Sequence, residues 1–196
     1  MKVELVLAGV GGQGVLLMAE ALGTAAVASG LNARVSEIHG MAQRGGSVVC
    51  HVRIGEGVLS PTVMDGQADA IVGLEPVEAL RVMRYASRKT LVLLNTRPII
   101  PPSVAMGAAR YPDLEDILHV LGGFAGRVIT LDAVKLAEEA GSTVAANTVM
   151  LGALASTNIL PMDVDTLREA VVSLVPERFR DVNVLAFKLG YEAVKR

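Results

Sequence analysis

Tryptophan is absent from the 196-residue chain, phenylalanine and tyrosine occur three times each, and there is a single cysteine, Cys50. So few aromatic faces leave little on which to stack unpaired bases, which argues against a single-strand binder. Charge of either sign is scarce: Asp, Glu, Lys and Arg make up 19% of the residues and the formal net charge is −2, so there is no basic footprint for nucleic acid. One thiol excludes a disulfide framework, and it excludes any four-cysteine zinc or iron–sulfur site built by this chain alone. A reducing, cytoplasmic setting is the expectation. The start, MKVELVLAGVGGQG, interrupts its apolar run with Glu4 and a glycine cluster, unlike a secretory leader.

What the chain has in abundance is small and apolar. Hydrophobic residues make up 52% and there are 20 glycines, a composition that excludes disorder and can fill a sizeable core. At about 150 residues per domain, residues 1–196 are expected to form one domain. Ala140 to Met162 carries no charge, yet Ser142, Asn147, Ser156, Asn158 and Pro161 interrupt it. Such groups suit a packed helix and oppose a membrane span.

The hydrophobic pattern alternates between short runs and longer helical stretches. Glu4–Ala8 reads as a buried strand, Gly14–Ser29 as a helix, and Asn32–Glu37 as a second strand, together a β-α-β unit. Further strands are expected at Ser47–Ile54, Ala70–Leu74, Thr90–Asn95 and Arg127–Leu131, with helices from Pro76 to about Tyr85 and over Leu114–Val120. Gly55–Gln67 reads as a loop or short hairpin arm, and Pro98, Pro101 and Pro102 force an irregular segment. From Ala133 onward everything is helical, broken at Gly141, Pro161 and Pro176. The expected fold is a single three-layer α/β/α domain, Rossmann-like, with a mostly parallel sheet and a helical C-terminal third. Ser47–Leu74 joins two strands without a helix, so one strand is free to run antiparallel.

Two glycine-rich segments carry the candidate chemistry. Gly9, Gly11, Gly12, Gln13 and Gly14 satisfy G-x-G-x-x-G between a strand and a helix, where backbone N–H groups can meet an anion. A sharp turn with nothing bound fits the same residues. A dinucleotide site would want an acid near the end of the second strand, and Glu37 is placed for it. The second segment runs from Glu37 through His39, Gly40, Gln43, Arg44, Gly45 and Gly46 to Ser47. Arg44 offers a fork to a phosphate or carboxylate, and His39 is either a proton carrier or a hydrogen-bonded loop histidine. Cys50, among valines, reads as a buried apolar residue. Asn147 reads as a polar contact in a core or interface. His39, His51 and His119 lack metal-ligand spacing.

GVGGQGV (9–15) followed by SEIHGMAQRGGSVVCHVRIG (36–55) resembles the gamma domain of 2-oxoacid:ferredoxin oxidoreductases, and most closely the indolepyruvate type. DAIVGLEPVEALR (69–81), NTVMLGAL (147–154) and NVLAFKLGYEA (183–193) extend the likeness over nearly the whole chain. The resemblance implies a small subunit without activity of its own. Thiamine diphosphate and iron–sulfur clusters would then lie on a large alpha subunit, ferredoxin would be reached through the complex, and coenzyme A would be the co-substrate. The two glycine segments would enclose substrate or coenzyme A, or meet the partner. Neither nucleic acid nor a membrane is expected as a partner, and the isolated chain is expected to pair with itself. The alternatives are a stand-alone dinucleotide-binding module, a scaffold protein, or a gamma subunit for pyruvate, 2-ketoisovalerate or 2-oxoglutarate.

Overall fold

The structure, a computed structural model, describes residues 2–40 and 45–195. Among them are six strands and eight α-helices. In chain order these are β1 (Lys2–Val10), α1 (Val15–Ala28), β2 (Ala33–His39), β3 (Ser47–Gly55), β4 (Ala70–Gly73), α2 (Pro76–Arg81), β5 (Leu91–Asn95), α3 (Pro102–Ala105), α4 (Leu114–Phe124), β6 (Arg127–Leu131), α5 (Ala133–Glu139), α6 (Ala146–Ala155), α7 (Val164–Leu174) and α8 (Arg180–Val194). The strands form one sheet in the order β2-β3-β1-β4-β5-β6. β1, β4, β5 and β6 pair in parallel, whereas β3 runs antiparallel to both β1 and β2.

Alternate residues along each central strand serve opposite faces, as the two-residue period of a strand requires. Leu5 and Leu7 of β1, Val72 of β4 and Leu93 of β5 meet α1 and the C-terminal helices. Val6 and Ala8, Ile71, and Val92 and Leu94 meet α2, α4 and the 55–68 loop, whose Val63 and Ala68 are buried. Both faces are covered, so the inner strands are continuous apolar runs. Every residue of α6 from Asn147 to Ala155 is buried, which accounts for the uncharged stretch. Thr148 donates to Asn183 Oδ1 of α8 at 2.6 Å, and just past the helix end Ser156 and Thr157 donate to the Ala153 and Leu154 carbonyls. Among the described residues no helix is long and apolar enough to cross a membrane.

The expected strands and longer helices appear where the patterning put them; the stretch expected to be irregular holds the four-residue α3, which Pro102 opens from a first helical position, and the assembly differs in one respect. The first three do not make a neighbouring β-α-β unit, because β3 inserts between β1 and β2. A short connection from β2 to β3 favours antiparallel pairing of those two strands, and β3 then takes the place beside β1. The expected helix to Tyr85 also ends early, at Arg81, and continues as a 3₁₀ turn over Met83–Tyr85.

His51 of β3 is fully buried on the α2 side, and its Nδ1 accepts from the Val63 N–H at 3.0 Å. Its ring meets Tyr85 edge to face, with centroids 4.8 Å apart. A second ring proton would displace the Val63 bond. Burial first, and the positive Arg84 second, hold the imidazole below its ordinary value of 6.5. The unfolded chain therefore takes up a proton that the folded chain refuses. Stability is full above the unfolded pKa and falls as pH drops through it. Melting temperature is expected to decline between about pH 6.5 and 5, and His51→Gln, which can still accept from Val63, should flatten that decline in thermal melts.

Candidate functional site at the sheet crest

The C-terminal ends of β1, β2, β4, β5 and β6 and the start of β3 share one edge of the sheet. Two side-chain amides tie that crest together. Gln13 accepts from the Val10 N–H at 2.7 Å and donates to the Leu74 carbonyl at 2.9 Å. Asn95 donates to the same carbonyl at 2.9 Å and accepts from the Ala133 N–H at 3.0 Å. One backbone oxygen thus anchors the ends of β1, β4 and β5, and Asn95 carries the tie to the helix that follows β6. Gln13, expected among the site residues, spends its amide on this brace.

The two glycine-rich segments meet. The Gly11 N–H donates to the Gly46 carbonyl at 2.8 Å, and the Gly45 N–H donates to the Gly11 carbonyl at 3.3 Å. Gly9 lies within β1, opposite Val48, and is not part of the loop. Gly12 has φ +104° with no atom within 4 Å of where a Cβ would stand, so it faces open space. Gly14 caps α1 at φ +80°, and a Cβ there would stand 2.3 Å from Asn147 Nδ2. Asn147 is thus the core contact expected of it, packed under the glycine turn.

Glu37 and His39 close the end of β2, so His39 is a strand residue and not a loop one. His39 Nε2 lies 3.4 Å from Glu37 Oε1, and its Nδ1 lies 3.1 Å from the Gly40 carbonyl. A groove of about 410 Å³ runs between Gly11, Gly12 and Leu16 on one wall and Glu37 and His39 on the other. Gln43 and Arg44 lie outside the described residues. Ser47, the first residue of β3, donates its hydroxyl to Glu78 Oε2. Cys50 is fully buried in β3, and its thiol is pushed up to about 12, by burial first and by the charge of Glu37 second. Burial and a protonated thiol both weigh against a nucleophile's role.

Several crest residues went unrecognised in the sequence. A second cavity, of about 190 Å³, lies between Gly12, Gln13, Thr143 and Val144, with Arg97 and Ile99 at its wall. Arg97 Nη2 donates to Asp132 Oδ2 at 2.7 Å. Burial opposes the charge of Asp132, yet the Lys135 N–H and the Arg97 guanidinium hold its carboxyl below the ordinary carboxylate range. Glu75 and Glu78 of the LEPVEAL stretch are buried at 2% and 7% exposure, a placement that no local pattern announces. The Pro76 between them, at a first helical position, was the only local sign of a structured turn.

The geometry disfavours a stand-alone dinucleotide site. In such a unit the acid-bearing second strand neighbours the first, whereas β3 holds Glu37 one strand further away, about 4.8 Å more.

Residues 4–193 match the family model described as pyruvate ferredoxin/flavodoxin oxidoreductase. The chain is 44% identical over 191 residues to the indolepyruvate oxidoreductase subunit IorB of Archaeoglobus fulgidus, covering 97% of this chain and 94% of that protein. It is 45% identical over 193 residues to the protein of the same name from Thermococcus kodakarensis, covering 98% and 96%. The gamma subunit of a keto/oxoacid ferredoxin oxidoreductase from Geobacter sulfurreducens PCA superposes with a TM-score of 0.71 at 24% identity, covering 98% of both chains, a likeness of fold alone.

The two crest glycines should respond differently to a methyl group. Gly12→Ala has room for its Cβ and carries backbone strain only, about 1 kcal/mol. Gly14→Ala adds a clash with Asn147 and should lose roughly 3 kcal/mol. Urea unfolding of both variants measures the order; equal losses would show that Asn147 yields freely.

Proposed function

The chain belongs to the pyruvate ferredoxin/flavodoxin oxidoreductase family as a small 2-oxoacid oxidoreductase subunit, and from that membership we propose that it serves an indolepyruvate-type enzyme. The reaction is the oxidative decarboxylation of an aryl 2-oxoacid with coenzyme A and oxidised ferredoxin to an acyl-CoA, carbon dioxide and reduced ferredoxin. The observation that carries the reading is identity of 44–45% over essentially the full length of relatives bearing the indolepyruvate name.

In this reading the crest of the sheet is the working face. α1 has no acidic residue in its first turn and no side-chain cap, so its positive end is left open beside Gly12. That end attracts an anionic part of coenzyme A into the groove, while Glu37 on the far wall keeps the charge on the Gly12 side. Gly40, Gly45 and Gly46 flank this groove in sequence, and Arg44, outside the described residues, is the side chain proposed to meet the anion. Thiamine diphosphate and the iron–sulfur clusters fall to a large alpha subunit. No group of three or more His, Cys, Asp or Glu gathers among the described residues, and the one thiol is buried in the sheet, so the residues present do not suit a cluster. Exposed Leu16, Ile99, Ile100 and Val144 around the crest supply apolar surface for that subunit to cover. Alone in the cytoplasm the chain is inactive and pairs with itself.

Co-expression with candidate large subunits tests this directly. The purified chain should reduce no viologen with any 2-oxoacid, coenzyme A and thiamine diphosphate. The complex should turn over indolepyruvate faster than pyruvate, 2-ketoisovalerate or 2-oxoglutarate. Turnover by the isolated chain, or a dinucleotide purified with it, would overturn the proposal. In the active complex Arg44→Lys should raise KM for coenzyme A or the 2-oxoacid roughly ten- to a hundredfold, the loss of about 1.5–3 kcal/mol expected for one charge-assisted contact.

A further inference from the structure

Helix α2 is six residues long, and Glu75, which caps its N-terminus, and Glu78 within it present two buried carboxylates to two different segments of the crest. Glu75 Oε1 accepts from the Tyr111 hydroxyl and from the Ile99 N–H at 3.3 Å, which holds both ends of the segment that follows β5. Its Oε2 accepts from the Glu78 N–H at 3.0 Å. Glu78 Oε2 accepts from Ser47 at the root of the second glycine segment, and Arg81 Nε lies 3.2 Å from its Oε1. Both acids are fully engaged, and neither lines the groove or the cavity beside Gly12.

Two buried acids three residues apart are a poor way to gain stability. Each is desolvated, and well-packed apolar residues would serve a core as well or better. What the acids do that apolar residues do not is fix direction. Each oxygen admits a donor at one place, so the segments that supply the donors are held in one relative position. One of these segments carries Ile99, close to Arg97 at the cavity wall; the other begins where Gly45 and Gly46 bond back to Gly11.

We propose that Glu75 and Glu78 are positioning residues, a clamp that sets the β5–α4 segment and the second glycine segment against each other and so shapes the coenzyme A-binding crest. The functional half of this statement rests on the oxidoreductase reading above; the clamp itself does not. Glu78 acts through Ser47, and Glu75 through Tyr111 and Ile99, without touching substrate.

Amide hydrogen exchange on the purified chain decides the clamp without any activity. Glu75→Ala should speed exchange in 97–111 at least tenfold, and Glu78→Ala should do so around Ser47 and Val48, with β4 and β5 protected as in the wild type. Uniform acceleration across the chain, or none, would overturn the clamp. Kinetics of the assembled complex decide its consequence. Glu78→Ala should raise KM for coenzyme A about tenfold, more than it lowers kcat, and Glu78→Gln, which still accepts from Ser47, should restore most of the loss. The double variant Ser47→Ala/Glu78→Ala should lose no more than Glu78→Ala, because both remove one shared bond. Unchanged KM with a lowered melting temperature, or additive losses, would overturn the positioning role. A wild-type complex without turnover would instead overturn the oxidoreductase reading, and the exchange result would stand on its own.

Discussion

The carbonyl oxygen of Leu74 is the point on which the crest depends. It accepts from Gln13 and from Asn95, two amides that arrive from opposite sides. A parallel sheet has no hairpins to align its strand ends, so each strand exits into a loop with freedom to drift. The amides remove that freedom. Gln13 also holds the Val10 N–H, and Asn95 also holds the Ala133 N–H, so the exits of four elements are set by two side chains. Asn95 is buried and Gln13 half-buried, and where water is excluded a satisfied polar network is rigid and a broken one is costly.

A second tier rests on this brace. The glycine turn after β1 can approach the connection after β2 because strand ends beneath them are already aligned, and the bonds between Gly11, Gly45 and Gly46 follow. Glu75, the cap of α2, follows Leu74 directly, so the brace also sets where Glu75 and Glu78 stand. The groove between Gly12 and His39 and the cavity beside Arg97 are therefore consequences of one alignment. In the proposed enzyme this gives the small subunit a preformed working edge, with the chemistry that needs thiamine diphosphate and clusters supplied by the large subunit. A preformed edge suits a subunit whose contribution is to bind and enclose, since ordering it on assembly would weaken the association.

Much of the fold was legible because hydrophobic periodicity is local. Residues 127–131 read as a strand and are one, and the breaks at Gly141, Pro161 and Pro176 separate the C-terminal helices as the pattern implied. The glycine turn between β1 and α1 was equally plain, as was the burial of Cys50. The antiparallel strand was foreseen as an option, because 47–74 lacks a crossover helix, but its place between β1 and β2 was not. Pairing order depends on which edges meet when the chain closes, and no short window contains that information.

By itself, then, the sequence determined the elements, their two-faced burial and the two glycine segments, since each follows from side-chain period and backbone freedom over a few residues. Only the tertiary structure decided what those segments touch. Gln13 looked like a ligand-facing residue of a glycine loop and became a brace to Leu74, 61 positions away. Asn147 sits beneath Gly14 across a separation of 133 residues. Glu75 and Glu78 drew no reading from the sequence and are buried, because the donors that make their burial tolerable come from Ser47, Ile99 and Tyr111. A polar side chain takes its role from the partner that satisfies it. Here those partners come from distant parts of the chain, and folding alone brings them into reach.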